Sequence, residues 1–120
     1  MKNLDQVRAA AAAKVLPEGG IHPFNRSDVV GIPALILTSG LLAAGAFCCE
    51  DGKEKRVGMK NAFNAIADFL KSRGLTNAST GQSLITDLAG QNSLALQRAT
   101  TEALAFLAYL KRFAKKPANI

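Results

Sequence analysis

Residues 29–49 read VVGIPALILTSGLLAAGAFCC, a stretch of 21 residues without a charged side chain. As one helix it is long enough to cross a bilayer. Pro33 and several small polar residues dilute its hydrophobicity, and acids rather than a basic cluster flank it at Asp28 and Glu50. The stretch therefore favours a buried central helix over about 32–49. The alternative, a small single-pass membrane protein anchored by residues 29–49, stays open on length alone.

The rest of the chain supplies amphipathic helices that need an apolar surface to cover. Apolar side chains recur at helical spacing, and no segment alternates as a strand does. This pattern predicts helices over about 4–16, 53–72 and 94–116, and a short helix over 83–89. We expect an all-α fold: a compact bundle of four main helices and one short helix around the central apolar helix. At 120 residues the chain is expected to form a single helical domain, 1–120.

Helical spacing also predicts which side chains form the core. The helix over 53–72 presents Met59, Ala62, Phe63, Ile66, Phe69 and Leu70 on one face. The last helix presents Leu96, Ala99, Ala103, Phe106, Leu107, Leu110 and Phe113. We expect Asn3, with Gln6, to cap the first helix and Asn92 or Ser93 to cap the last.

Charge is distributed unevenly along the chain. The net charge is +6, yet the first 50 residues contain four bases and four acids, so the whole excess lies in residues 51–120. A basic half of this kind suggests a polyanionic partner or an acidic protein surface.

The basic residues fall into two rows at helical spacing. One row, on the third helix, comprises Lys53, Arg56, Lys60 and Lys71, with Asn64 and Ala67 between them. The other row, on the last helix, comprises Arg98, Arg112 and Lys116, with Lys111 and Lys115 beside them. Such rows suit phosphates. Because tryptophan is absent and Tyr109 is the only tyrosine, we expect the backbone of a nucleic acid to be held rather than its bases read.

The sequence gives little support to catalysis, to metal binding or to a cofactor. His22 lies in a Gly/Pro-rich loop without ligands at suitable spacing, and no phosphate-binding glycine pattern occurs. Cys48 and Cys49 are neighbours, which disfavours a disulfide and indicates buried thiols in a reducing compartment. No secretory signal is visible, so we expect a cytoplasmic protein. A free-standing helical DNA-binding module is disfavoured, since no polar recognition helix follows a tight turn.

Three segments, residues 1–14, 32–47 and 98–115, resemble the small subunit of the Cmr complex, the type III-B CRISPR effector. They read MKNLDQVRAAAAAK, IPALILTSGLLAAGAF and RATTEALAFLAYLKRFAK. Their order and spacing fit that family over nearly the whole chain, whereas residues 51–92 match only in kind. The chain departs from the family at Tyr109, where tryptophan is frequent, and at the Cys48-Cys49 pair.

The resemblance implies a non-catalytic subunit of a ribonucleoprotein used in antiviral defence. Subunits of that family stack with one another inside the Cmr complex, next to the subunits that carry the CRISPR RNA, and turn a basic surface towards the guide and target RNA. By this resemblance the RNA-binding residues are Arg98, Lys111, Arg112 and Lys115, and helical spacing adds Lys53, Arg56 and Lys60. Glu18, Glu50 and Asp51 are candidates for contacts between subunits.

Overall fold

The computed structural model describes residues 3–14, 24, 26–50, 52 and 56–114. Over these residues the chain forms seven helices and no strand, which confirms the all-α prediction. The helices are α1 (Leu4–Lys14), α2 (Arg26–Val30), α3 (Ile32–Ser39), α4 (Leu41–Cys48), α5 (Val57–Ser72), α6 (Gly81–Ala89) and α7 (Ser93–Phe113).

The apolar run at 29–49 is not the single helix that its sequence predicts. Gly40 has φ +93° and ψ 160°, a conformation that is essentially restricted to glycine, and it divides the run into α3 and α4. Nor is the run covered on all sides, because the Leu37 side chain is 74% exposed. Among the described residues, no helix is both long and apolar enough to cross a membrane.

Helices α5 and α7 contribute the most buried side chains to the core. The Phe69 and Phe106 rings stack with their centroids 4.6 Å apart and their planes 7° from parallel. The predicted core faces are confirmed at most positions, and Leu41 at the start of α4 is buried as well. The exceptions are Met59, Leu96 and Phe113, which are only partly covered.

The Phe63 ring fixes how α4 and α6 approach α5. It lies so close to the backbone at Gly45 and Gly81 that a side chain on either glycine would collide with it. Cys49 Sγ packs against Gly81 as well. Two glycines on separate helices therefore make room for one aromatic ring on a third.

Side-chain caps define several helix ends. Asn3 and Gln6 exchange hydrogen bonds of 2.9 Å at the start of α1, and Asn92 accepts from the Ala95 amide at the start of α7, as predicted. A reciprocal pair, Thr80 and Ser83, begins α6 two residues earlier than predicted. The last helix ends at Phe113 rather than at 116, because Ala114 is extended. The predicted helix segments at 15–16, 53–55 and 115–116 lie outside the described residues.

Candidate nucleic-acid interface

One face of α7 is open to solvent along most of the helix. Arg98, Thr101, Ala108 and Arg112 are exposed on it, and Ala105 between them is half-buried. At a rise of 1.5 Å per residue, Arg98 and Arg112 lie about 21 Å apart along the axis. Neither arginine forms an ion pair within the described part of the chain. The described part of the predicted row, from Arg98 to Arg112, thus lies along one side of the helix, which we call the α7 face, whereas Lys116 lies outside the described residues.

A cleft of about 490 Å³ opens at the carboxyl-terminal end of this face, where α2 and α3 meet α7. Three cations line it: Arg26, Lys111 and Arg112. The Arg26 guanidinium donates from Nε to the Ala114 carbonyl oxygen at 3.3 Å and from Nη2 to the Arg112 carbonyl oxygen at 3.1 Å. These bonds satisfy carbonyl groups at the end of α7 and hold Arg26 beside the other two cations. We call this site the Arg26 cleft.

A second cleft, of about 410 Å³, opens near the amino-terminal half of α7 between Arg73 and Arg98. Glu102 also lines it and forms ion pairs with Arg8 of α1 and with Arg73, the latter at 3.5 Å. One carboxylate therefore offsets part of the positive charge here. We call this site the Arg98 cleft.

The basic row on α5 does not form a matching surface. Arg56 donates to a Glu50 carboxylate oxygen at 2.8 Å and to the Phe47 carbonyl oxygen at 3.0 Å. Its guanidinium also lies 3.8 Å from the centre of the Phe47 ring. These contacts engage Arg56 within the protein, and they place Glu50, a candidate for subunit contacts, against it.

The packing of α6 interrupts the same row further along α5. Ala67 is fully buried, and the Asn64 amide oxygen accepts from the Gly81 amide at 2.7 Å. Lys71 donates to the Ser79 hydroxyl at 2.9 Å. Between Lys60 and Lys71 the predicted flank is therefore not continuous, because Ala67 is buried and Asn64 is bonded to the start of α6.

Of the other predicted site residues, the structure describes one on α5 and leaves four outside the described residues. Lys60 is exposed on α5. Lys53 and Lys115 lie outside the described residues, as do Glu18 and Asp51.

The two cysteines lie in the interior and contribute nothing to the basic surface. Burial, reinforced by the neighbouring Cys49, raises the pKa of the Cys48 thiol to about 12, although Arg56 acts in the opposite direction. In the part of the chain that the structure describes, no three His, Cys, Asp or Glu side chains converge as metal ligands.

Comparison with protein families accounts for this helical architecture. The model of the CRISPR-associated protein family Cas_Cmr5 matches residues 4–116. The chain belongs to the Cmr5 family. Cmr5 proteins are the small, structural subunits of the type III-B CRISPR effector, the Cmr complex, so membership implies assembly with other Cmr subunits.

A solved Cmr5 structure has the same fold. The crystal structure of a CRISPR-associated Cmr5 family protein from Thermus thermophilus superposes with a TM-score of 0.70. The two chains share 26% sequence identity, and the match covers 94% of this chain and 95% of the other. Comparison with curated proteins gave no significant match.

Sequence reasoning about this Cmr5 chain missed two arginines that the fold brings to the α7 face. Arg26 belongs to α2 and Arg73 follows α5, yet they line the Arg26 cleft and the Arg98 cleft. Helical spacing relates residues only within one helix. A weaker signal was present: both are arginines at the ends of helices, positions from which a long side chain can reach a neighbouring element.

Proposed function

We propose that this chain is a non-catalytic subunit that holds the backbone of guide or target RNA on its α7 face within the Cmr complex. The observation that carries the proposal is the α7 face itself. It presents Arg98, Lys111 and Arg112 to solvent, with no ion pair to any of them among the described residues. Arg26 and Arg73 add positive charge at its two ends.

The chemistry of this face favours phosphates over bases. Arginine and lysine bind phosphate oxygens through charge-assisted hydrogen bonds. Between the cations lie Thr101, Ala105 and Ala108, which include no aromatic ring on which successive bases could stack. Binding through such a face does not depend on the nucleotide sequence of the RNA. This property suits a subunit that must work with guide RNAs of different sequence.

Charge reversal on the α7 face tests the proposal directly. We expect the Lys111→Glu, Arg112→Glu double variant to lose most of the affinity of the purified protein for single-stranded RNA at low salt. The matched control is Lys14→Glu with Lys71→Glu, which changes the net charge equally on α1 and α5. Lys60→Glu alone measures any contribution of α5. Equal losses in the α7 variant and the control would mean that only net charge matters, and the α7 face would not be the interface.

We also propose that like subunits stack within the complex through the exposed apolar side of α2 and α3. Val30, Ala34 and Leu37 are exposed there at helical spacing. Apolar side chains so open to water are suited to a protein contact. We expect Leu37→Lys to weaken self-association of the wild-type protein in sedimentation at high concentration, whereas Thr38→Lys beside it has a smaller effect. If Leu37→Lys leaves self-association unchanged, like subunits do not stack through this side of α2 and α3.

A further inference from the structure

The Arg26 cleft combines a cationic rim with an apolar floor and, unlike the Arg98 cleft, has no carboxylate among the described residues that line it. We propose that it accepts a single unstacked nucleotide of single-stranded RNA, with the phosphate on the rim and the base on the floor. This inference rests on the proposed function and deepens it. It adds a subsite for the nucleoside to a surface that otherwise holds only the backbone.

The rim is suited to a phosphate because three cations converge on it. Arg26, Lys111 and Arg112 line the Arg26 cleft, and none of the described residues that line it carries a carboxylate. The Arg98 cleft, by contrast, includes Glu102. Two carbonyl oxygens already hold the Arg26 guanidinium in place. A guanidinium has five N–H donors, so a fixed Arg26 retains others for an anion.

The floor is suited to the face of a base. Pro33 and Leu104 are half-buried, Ala108 is exposed, and Leu107 lies fully buried behind them. The volume of about 490 Å³ is within the range of small-molecule sites. None of these four side chains can donate or accept a hydrogen bond. The floor can therefore contact any base without selecting its sequence.

The same features favour single-stranded RNA over a duplex. Paired bases are stacked inside a helix, and the major groove of A-form RNA is too narrow for side chains to enter. Only an unstacked base can lie against Pro33 and Leu104 while its phosphate reaches the rim. An acidic protein segment is the competing occupant, and the experiment below tells the two apart.

The test compares oligouridylate with an abasic ribose-phosphate oligomer of the same length. We expect wild-type protein to bind oligouridylate about fivefold more tightly than the abasic strand. A difference of about fivefold is at the low end of the affinity that one stacked base contributes, because the floor is aliphatic and has no ring. Ala108→Leu, which fills the mouth of the cleft without adding a ring on which a base could stack, should abolish this preference. Ala46→Leu, the same change at an exposed position of α4, should retain it.

The outcomes separate the two proposals. If wild-type protein binds both strands equally well and with the same salt dependence, the nucleotide subsite is wrong and backbone binding stands. If neither strand binds, the proposed function fails as well. Displacement of oligouridylate from wild-type protein by an acidic peptide, with no preference over the abasic strand, would assign the cleft to protein instead.

A second measurement needs no variant. Uridine monophosphate should shift the methyl NMR signals of Leu104, whereas inorganic phosphate at the same concentration should leave them in place. Shifts of equal size with both ligands would show that the base does not contact the floor, and the nucleotide subsite would be wrong.

Discussion

Gly40 sets the direction of the chain in the middle of its most apolar segment. It combines a φ of +93° with a ψ of 160°, and no atom lies near the position of an added Cβ. A substitution there is therefore strained by the backbone alone and not by crowding. Gly31, nine residues earlier, is equally open but has helical dihedral angles, φ −84° and ψ −13°.

This pair of glycines gives a matched test of the bend between α3 and α4. We expect Gly40→Ala to lower the free energy of unfolding by about 1–3 kcal/mol, the cost of a residue held in a sparsely populated conformation. Gly31→Ala should be neutral or stabilising by up to about 1 kcal/mol, because alanine adopts its dihedral angles freely. Chemical denaturation measures both. Equal effects of the two substitutions would contradict the bend.

The cysteine pair gives a second prediction at the scale of single residues. Both side chains are buried, and the pKa of Cys48 is raised to about 12, so its thiol stays protonated at pH 8. We expect a chromogenic disulfide reagent to label neither cysteine rapidly in the native protein at pH 8, and both in guanidinium chloride. Rapid native labelling would show that the α4 end of the core opens readily.

Residue-scale detail was only partly predictable from sequence. Burial of Cys48 and Cys49 followed from their apolar surroundings, and the structure confirms it. The bend did not follow, because the apolar run contains Gly31, Gly40 and Gly45 and only Gly40 adopts a positive φ. What distinguishes the three is the packing of the rest of the chain around them.

At the scale of helices, α1 is joined to the rest of the fold by a polar contact as well as by apolar packing. Ala12 is its one fully buried side chain, and Leu4 remains largely exposed. Arg8 reaches Glu102 of α7, and Glu102 also binds Arg73, so one carboxylate joins three parts of the chain. The Arg8–Glu102 ion pair is therefore one of the contacts that hold α1 against α7.

Replacing this carboxylate tests its role. We expect Glu102→Gln to lower the free energy of unfolding by about 1–2 kcal/mol, between the values for exposed and buried ion pairs. Amide exchange in α1 should accelerate more than in α5. Glu50→Gln, which removes the more exposed pair with Arg56, should cost less than about 1 kcal/mol and leave α1 unaffected. Unchanged exchange in α1 on Glu102→Gln would contradict this account.

Helix positions were largely predictable, whereas their packing was not. The spacing of Phe63, Ile66 and Leu70 identified the core face of α5 correctly. It could not show that Asn64 bonds to the start of α6 or that Ala67 is buried, because both depend on the direction of the loop after α5. Consequently, one of the two predicted basic rows is a surface and the other is interrupted.

At the scale of the whole molecule, the single domain remains a prediction that unfolding can test. The Cα radius of gyration is 13.4 Å, close to the value of about 13.6 Å expected for a compact chain of this length. We expect circular dichroism and cysteine labelling to report the same transition in denaturant. Transitions at different denaturant concentrations would indicate more than one cooperative unit.

The family was recognisable from three sequence segments, which correspond to α1, to α3 with α4, and to α7. Only part of the α7 face could be predicted from the sequence. Arg98 and Arg112 share a helix, so spacing related them, but Arg26 approaches Arg112 only after α2 has folded against α7. Contacts between distant parts of the chain have no periodic signature.

The salt dependence of RNA binding tests the central claim, that the α7 face holds phosphates, most directly. For single strands, the slope of log K against log salt concentration is about −0.7 per phosphate contact. We predict that Lys111→Gln with Arg112→Gln reduces the magnitude of the slope by about 1.4, the loss of two contacts. Lys14→Gln with Lys71→Gln should leave it unchanged. An unchanged slope in the α7 variant, with RNA still bound, would contradict the claim and place the phosphates elsewhere.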